Sequence, residues 1–143
     1  MKPVRALALA LALALALPLA ACGAAPDWQI VAVHTDPAEP GALLADAAGL
    51  AHFRISESEL DGDTACAPLK ATITTEEDTF TIDEVEVGDA DDCEGGARHV
   101  HEQLTSILVP GAQFRTEQLT DTELVWTSTE DAVNPPSVRL MSL

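Results

Sequence analysis

The chain has 143 residues, with 24 Asp and Glu against 7 Lys and Arg, and a formal net charge of −17. That balance excludes nucleic acid and anionic membrane surfaces as electrostatic partners, because both are held through basic patches. Basic proteins and divalent cations remain open as partners, beside the general effect of charge on solubility.

The N-terminus carries an address. Lys2 and Arg5 form a positive n-region, residues 6–17 are an unbroken Ala/Leu run, and Pro18 breaks that run before Leu19-Ala20-Ala21-Cys22. This is the order of a secretory signal peptide, and its end resembles the lipobox of bacterial lipoprotein precursors. In that pattern residues 1–21 are removed, Cys22 is acylated and becomes the first mature residue, and residues 22–27 are a lipidated tether. Residues 6–21 number 16, short of the roughly 20 apolar residues that a membrane span needs. An uncleaved anchor, and ordinary secretion with a free Cys22, are the alternatives. Each buried lipid methylene contributes about 0.8 kcal/mol, so two or three chains hold stably where one does not. The expected location is the bacterial cell membrane, lipid-anchored on its extracytoplasmic face. Removal of residues 1–21 takes Lys2 and Arg5 and none of the acids, leaving five basic against 24 acidic side chains, a net charge of −19 on 122 residues.

Beyond Cys22 the chain has two cysteines, Cys66 and Cys93. An even pair in an oxidising compartment reads as a disulfide. It would close a loop of 28 residues, worth roughly 3–4 kcal/mol in the chain-entropy model. A small domain with three Phe and no Tyr has a modest core and gains from such a staple.

In chain order, residues 28–34 (WQIVAVH) read as a first strand. Residues 35–41, with Pro37 and Pro40, read as a loop, and residues 42–48 as a short helical turn. Residues 50–56 alternate loosely, and Asp61-Gly62-Asp63 is a turn signal ahead of Cys66. Residues 69–75 and 79–87 form a hairpin around Glu76-Glu77-Asp78. Phe80 and Ile82 share a face that Val85 and Val87 do not, which calls for a bulge near Asp83-Glu84. Over residues 98–108 the period changes: Val100, Leu104, Ile107 and Leu108 make a helical apolar stripe that Pro110-Gly111 ends. Residues 112–119, 123–128 and 137–141 complete the strands. The expected fold is mainly β (α+β), a small curved antiparallel sheet or open barrel of about six strands with one packed helix.

Trp28 opening a strand, Phe53 in the next, the segment Gly62-Asp63-Thr64-Ala65-Cys66 and a second cysteine, Cys93, ahead of a helix resemble the META/HslJ-like domain. This small bacterial envelope domain is often carried by lipoproteins. The resemblance covers residues 28–143, and Glu102 with Leu104 and Leu108 resembles the family's Glu-containing helix. The family tends to have Gly-Cys-Asn where this chain has Ala65-Cys66-Ala67, and Thr-x-Met-x-Cys where it has Asp89-Ala90-Asp91-Asp92-Cys93. The resemblance implies a mainly β fold with one helix and associations with envelope stress or antibiotic tolerance. It implies no catalytic reaction.

Catalytic patterns fail on inspection. His101-Glu102-Gln103-Leu104 begins a zinc-protease motif, but the fifth position is Thr105. On a helix His99 and His101 point about 200° apart and cannot share a metal. Arg98 and Glu102 form an i,i+4 pair in the weaker orientation. No serine has the flanking glycines of a nucleophile elbow. Trp28 and Trp126 are expected in the core rather than as a stacking platform. One candidate site remains: Asp89, Asp91, Asp92 and Glu94 crowd Cys93 while Asp61 and Asp63 precede Cys66, so a disulfide would join two acidic clusters. The plain reading is a solvated acidic turn with no firm metal; the alternative is a hard cation such as Ca²⁺, which would relieve their repulsion. The loop is not an EF-hand, because Glu94 stands where Gly is required and the twelfth residue from Asp89 is Val100.

Two functions follow from these readings. One is a non-enzymatic envelope lipoprotein that binds another protein, for instance as an accessory factor of a basic envelope protein. The other is a structural or stress-protective envelope component without a tight partner.

Overall fold

A computed structural model describes residues 25–142. The residues read above as a signal peptide and lipobox, Cys22 included, lie outside the described residues. The fold is mainly β with one helix. Its strands are β1 (Trp28–His34), β2 (Ala51–Ile55), β3 (Glu59–Thr64), β4 (Pro68–Glu76), β5 (Thr79–Val87), β6 (Gln113–Thr120), β7 (Glu123–Ser128) and β8 (Ser137–Ser142). The helix, α1 (Gly95–Ile107), stands between β5 and β6. Each strand pairs antiparallel with the next, and β8 returns to β1 to close a barrel. Where a curved sheet or open barrel of about six strands is expected, the structure has a closed barrel of eight, which removes most edges.

One of the added strands is β3, at Asp61-Gly62-Asp63, where the sequence signals a turn. Its apolar content is low, but its register is fixed: Asp61 lies opposite Arg54 on one side and Lys70 on the other. Gly62 is required by closeness rather than by turning. A Cβ there would overlap the His52 carbonyl and lie 2.8 Å from the Phe53 Cα. The local turn chemistry was overridden by cross-strand pairing.

Alternation explains the other strands. In β4, Leu69, Ala71 and Ile73 point inward between exposed Lys70, Thr72 and Thr74. In β5 the register shifts between Thr72 and Ile73, so that Glu84 faces Thr72, Ile82 faces Ile73 and Asp83 is the extra residue. This is the bulge that the out-of-phase Val85 and Val87 required. A second shift in β1, between Ile30 and Ala32, turns Val33 inward three residues after Ile30. The anticipated helical turn over residues 42–48 is instead a run of hydrogen-bonded turns, preceded by a bridge from Ala42 to Ala32.

The barrel interior is packed with side chains. Phe53 and Phe80 each lie against Trp126, at centroid distances of 6.1 and 5.2 Å, and Phe80 stacks on Phe114 at 5.4 Å. Trp126 is 0% exposed and Trp28 7%, so both are core residues, as their strand positions imply. Eight strands enclose just enough room for such a filling. Outward positions carry Lys70, Glu84, Glu86, Arg115, Glu117 and Arg139, the inverse of a lipid-facing barrel. No helix among the described residues is long and apolar enough to cross a membrane.

The meander sorts the connections to two ends. Residues 25–27 and the tight β2–β3, β4–β5 and β6–β7 turns lie at one end. The long β1–β2 loop, the β3–β4 turn, α1 and the β7–β8 loop lie at the other. Helix α1 begins three residues earlier than its apolar stripe suggested, and Val100, His101 and Leu104 form its buried face.

Candidate functional site

At the helix end of the barrel, three devices tie the β1–β2 loop, the β3–β4 turn and α1 together. The first is the disulfide between Cys66 and Cys93, with Cα atoms 5.5 Å apart, which fastens the β3–β4 turn to the segment leading into α1. Around Cys66 the backbone is set by Asp63, whose Oδ1 accepts from the Ala65 N–H at 2.9 Å, and by the positive φ of Ala65. The second is His101, which reaches from α1 to the buried hydroxyl of Thr64 at 2.6 Å. The Thr64 side chain also bonds the Ala67 backbone, at 3.1 Å to its carbonyl and 3.2 Å from its N–H.

The third device is Asp46, on the β1–β2 loop. Its Oδ2 accepts from the Gly96 N–H at 2.9 Å, at the first turn of α1. The residue at the N-cap position, Glu94, makes no side-chain cap, and the first turn contains no acid. Asp46 supplies both the missing acceptor and the missing negative charge. A Cβ at Gly96 would overlap Asp46 Oδ1 and crowd Leu44 Cβ at 2.9 Å, so any larger residue there displaces the capping carboxylate. Sequence reading could not find this contact, because the two residues are 50 positions apart and no local pattern links them.

The acidic candidates have different positions from those that a cation site needs. The disulfide does bring the two segments together, yet Asp61 lies on β3 opposite Arg54 and Lys70, and Asp63 is engaged with Ala65. Asp89 Oδ1 accepts from the Asp91 N–H at 2.8 Å, closing a local turn, and Glu94 stands at the helix N-cap. No three of Asp61, Asp63, Asp89, Asp91, Asp92 and Glu94 converge, alone or with His or Cys, into a metal-holding group among the described residues. Of the two readings of these carboxylates, a solvated acidic turn and a Ca²⁺ site, no metal-holding group is assembled among the described residues, and Asp63 and Asp89 instead accept from nearby backbone N–H groups.

The histidines are separated as the helical geometry demands. His101 is buried against Thr64, while His99 faces outward, 3.9 Å from Glu39. The Arg98–Glu102 pair is present at 3.8 Å, and Arg98 Nε also donates to the Cys93 carbonyl at 2.9 Å. An open groove of about 690 Å³ lies beside the C-terminal end of α1, lined by Thr35, Thr81, Ser106, Gln113, Thr129 and Glu130 among others. Its Ser106 hydroxyl donates to the Gln103 carbonyl within its own helix. On the outer wall, Lys70 is surrounded by Glu59, Asp61 and Glu86, and its ammonium lies 2.6 Å from Glu59. The hydrogen bond to Glu59 and that carboxylate's charge raise the Lys70 pKa above its ordinary value of 10.5.

No family model matches the chain, and no curated protein sequence matches it significantly. Solved structures do. A protein from Burkholderia xenovorans, determined by NMR, superposes with a TM-score of 0.62 at 9% identity, over 82% of this chain and 81% of that one. A second protein determined by NMR gives a TM-score of 0.50 at 12% identity, over 81% and 87%. At such identities the likeness is one of fold.

Proposed function

We propose that this chain is a lipid-anchored, extracytoplasmic, non-enzymatic protein of the bacterial envelope that binds another protein through its outer surface. The observation that carries the reading is the filled barrel interior. With Phe53, Phe80, Phe114 and Trp126 occupying the space that an eight-stranded barrel could offer to a small ligand, chemistry is left to the exterior. That exterior is strongly acidic, with 24 carboxylates against seven Lys and Arg in the whole chain, which suits a basic protein partner. The Cys66–Cys93 disulfide supports an oxidising compartment, and the META/HslJ-like resemblance supports an envelope setting. Residues 25–27 leave the barrel at the end opposite α1, so a tether there would direct the helix end away from the membrane.

Two measurements test the proposal. Fractionation of bacteria expressing the full chain should place it in the membrane fraction, and mass spectrometry should find Cys22 acylated at the mature N-terminus; an unmodified Cys22 defeats the lipid anchor. Affinity capture from envelope extract, run at about 0.05 M and 0.5 M salt, separates a specific partner from charge attraction that salt screens. One protein retained at both concentrations supports the binding role. Capture that vanishes at the higher salt favours a structural or stress-protective component instead.

A further inference from the structure

Strand β5 has an incomplete second neighbour. It pairs with β4 from Thr79 to Val87, but with β6 only at Thr79, Phe80 and Thr81. Bonds from the Ile82 N–H to the Ala112 carbonyl and from the Gly111 N–H to the Ile82 carbonyl, both 2.8 Å, extend that contact by one residue. There Pro110 ends the pairing, since it lacks an N–H to continue the ladder, while α1 departs to lie across β3 and β1. Residues 83–87 are therefore a free edge in an otherwise closed barrel. Among the described residues no backbone hydrogen bond joins them to any strand but β4.

The side chains on this edge are of one sign. Asp83, Glu84 and Glu86 are exposed, as is Val87, while Val85 rests on the core. Asp83 accepts from the Thr74 hydroxyl at 2.8 Å. Glu84 and Glu86, two residues apart and so on one face, take part in no ion pair among the described residues. Lys70 faces Glu86 across the strands but is held by Glu59. A shallow groove of about 470 Å³, lined by Asp61, Gly62, Lys70, Glu86 and Val87, runs along the same wall.

We propose that the free edge of β5, residues 83–87, receives an extended lysine- or arginine-bearing segment of a partner protein as an added antiparallel strand. Strand addition draws its affinity from the unpaired backbone and its selectivity from alternate side chains. Here Glu84 and Glu86 select Lys or Arg at alternate positions. A second copy of this edge is rejected, because like charges would stand opposite each other. Five residues at about 3.4 Å each suit a partner segment of similar length. The proposal rests on reading the chain as a protein-binding molecule.

The test uses the purified protein, as its host processes it, with an eight-residue peptide of alternating Lys and Thr and a Glu/Thr peptide as control, at about 0.15 M salt, where distant charges are screened. Titration followed by amide NMR should show the Lys/Thr peptide slowing hydrogen exchange within residues 83–87. E84K/E86K should weaken binding at least tenfold, and the Glu/Thr peptide should not bind. The proposal is overturned by shifts scattered over the acidic surface without protection at 83–87, by unchanged affinity in E84K/E86K, or by a dimer formed through this edge in sedimentation. Should E84K/E86K lose its fold, E84Q/E86Q gives the same reading with a smaller loss. A specific capture partner with a peptide-blind edge defeats this inference alone; edge binding without any capture partner defeats the proposed function alone.

Discussion

The imidazole Nδ1 of His101 lies 2.6 Å from the Thr64 hydroxyl, joining the buried face of α1 to the last residue of β3 two positions before Cys66. Thr64 is fully buried and His101 9% exposed, so neither group has water as a ready substitute. The hydroxyl has one proton and three neighbours, and each arrangement of that proton leaves the Ala67 backbone engaged. Thr64→Val keeps the shape of the side chain but strands His101 Nδ1 and loosens the β3–β4 turn. The expected cost is about 1–3 kcal/mol, the usual penalty for a buried partner left unmade. Denaturant unfolding of Thr64→Val, His101→Phe and the double variant measures it. The two single losses should not add, with a coupling above roughly 0.5 kcal/mol; strict additivity would show that the contact contributes nothing.

Asp46→Ala tests the remote helix cap. The substitution removes the acceptor for the Gly96 N–H and the only carboxylate bonded at the first turn of α1 among the described residues. An expected loss of about 1 kcal/mol follows from capping. Asp46→Asn, which keeps an oxygen acceptor but not the charge, should lose less. Amide exchange at Gly96 and the β1–β2 loop would accelerate together in Asp46→Ala; acceleration at the loop alone would mean that the cap is not made.

Periodic apolar positions made most of this fold legible. The stripe of Val100, Leu104 and Leu108 located the helix, and the phase conflict between Ile82 and Val85 located the bulge at Asp83. What escaped was whatever depends on distant partners. Strand β3 is nearly devoid of apolar residues and is held by its neighbours on both sides, so its Asp-Gly-Asp segment imitated a turn. Closure of the barrel depends on β1 meeting β8, more than 100 positions away, as in the pairing of Trp28 with Ser142. The acidic clusters are a candidate site because the disulfide joins their segments, yet Asp63 and Asp89 accept from backbone N–H groups two residues on rather than turning toward a shared ion. Proximity along the chain showed which carboxylates crowd, and not where their oxygens point.

The disulfide should contribute more to stability than any single polar contact. It ties two connections at the helix end, and opening a loop of that size returns conformational freedom to the unfolded chain. A loss of roughly 3–4 kcal/mol is expected for Cys66→Ser with Cys93→Ser, or on reduction. The barrel strands should persist while α1 loses protection first, because the Cys93 segment leads directly into it. Denaturant midpoints with and without reductant, with amide exchange on the reduced protein, provide the check. Simultaneous loss of protection in α1 and in β6–β8 would show that the staple holds the whole barrel rather than its helix end.

Trp126 offers a test of the filled interior on which the functional reading depends. It is fully buried between Phe53 and Phe80, and its Nε1 has no hydrogen-bond partner among the described residues. Trp126→Ala removes a large aromatic from a closed barrel that cannot collapse easily around the gap, and the expected cost is about 3–5 kcal/mol. Trp126→Phe opens a smaller space and also removes an indole N–H that is desolvated without compensation, so the relief offsets part of the packing loss. Its cost should fall well below that of the alanine variant. Trp28 is then the sole indole in either variant, which gives both unfolding curves a fluorescence signal. If Trp126→Ala were nearly neutral, the interior would be slack rather than packed, and room for a small ligand inside the barrel would displace the argument for a surface that binds proteins.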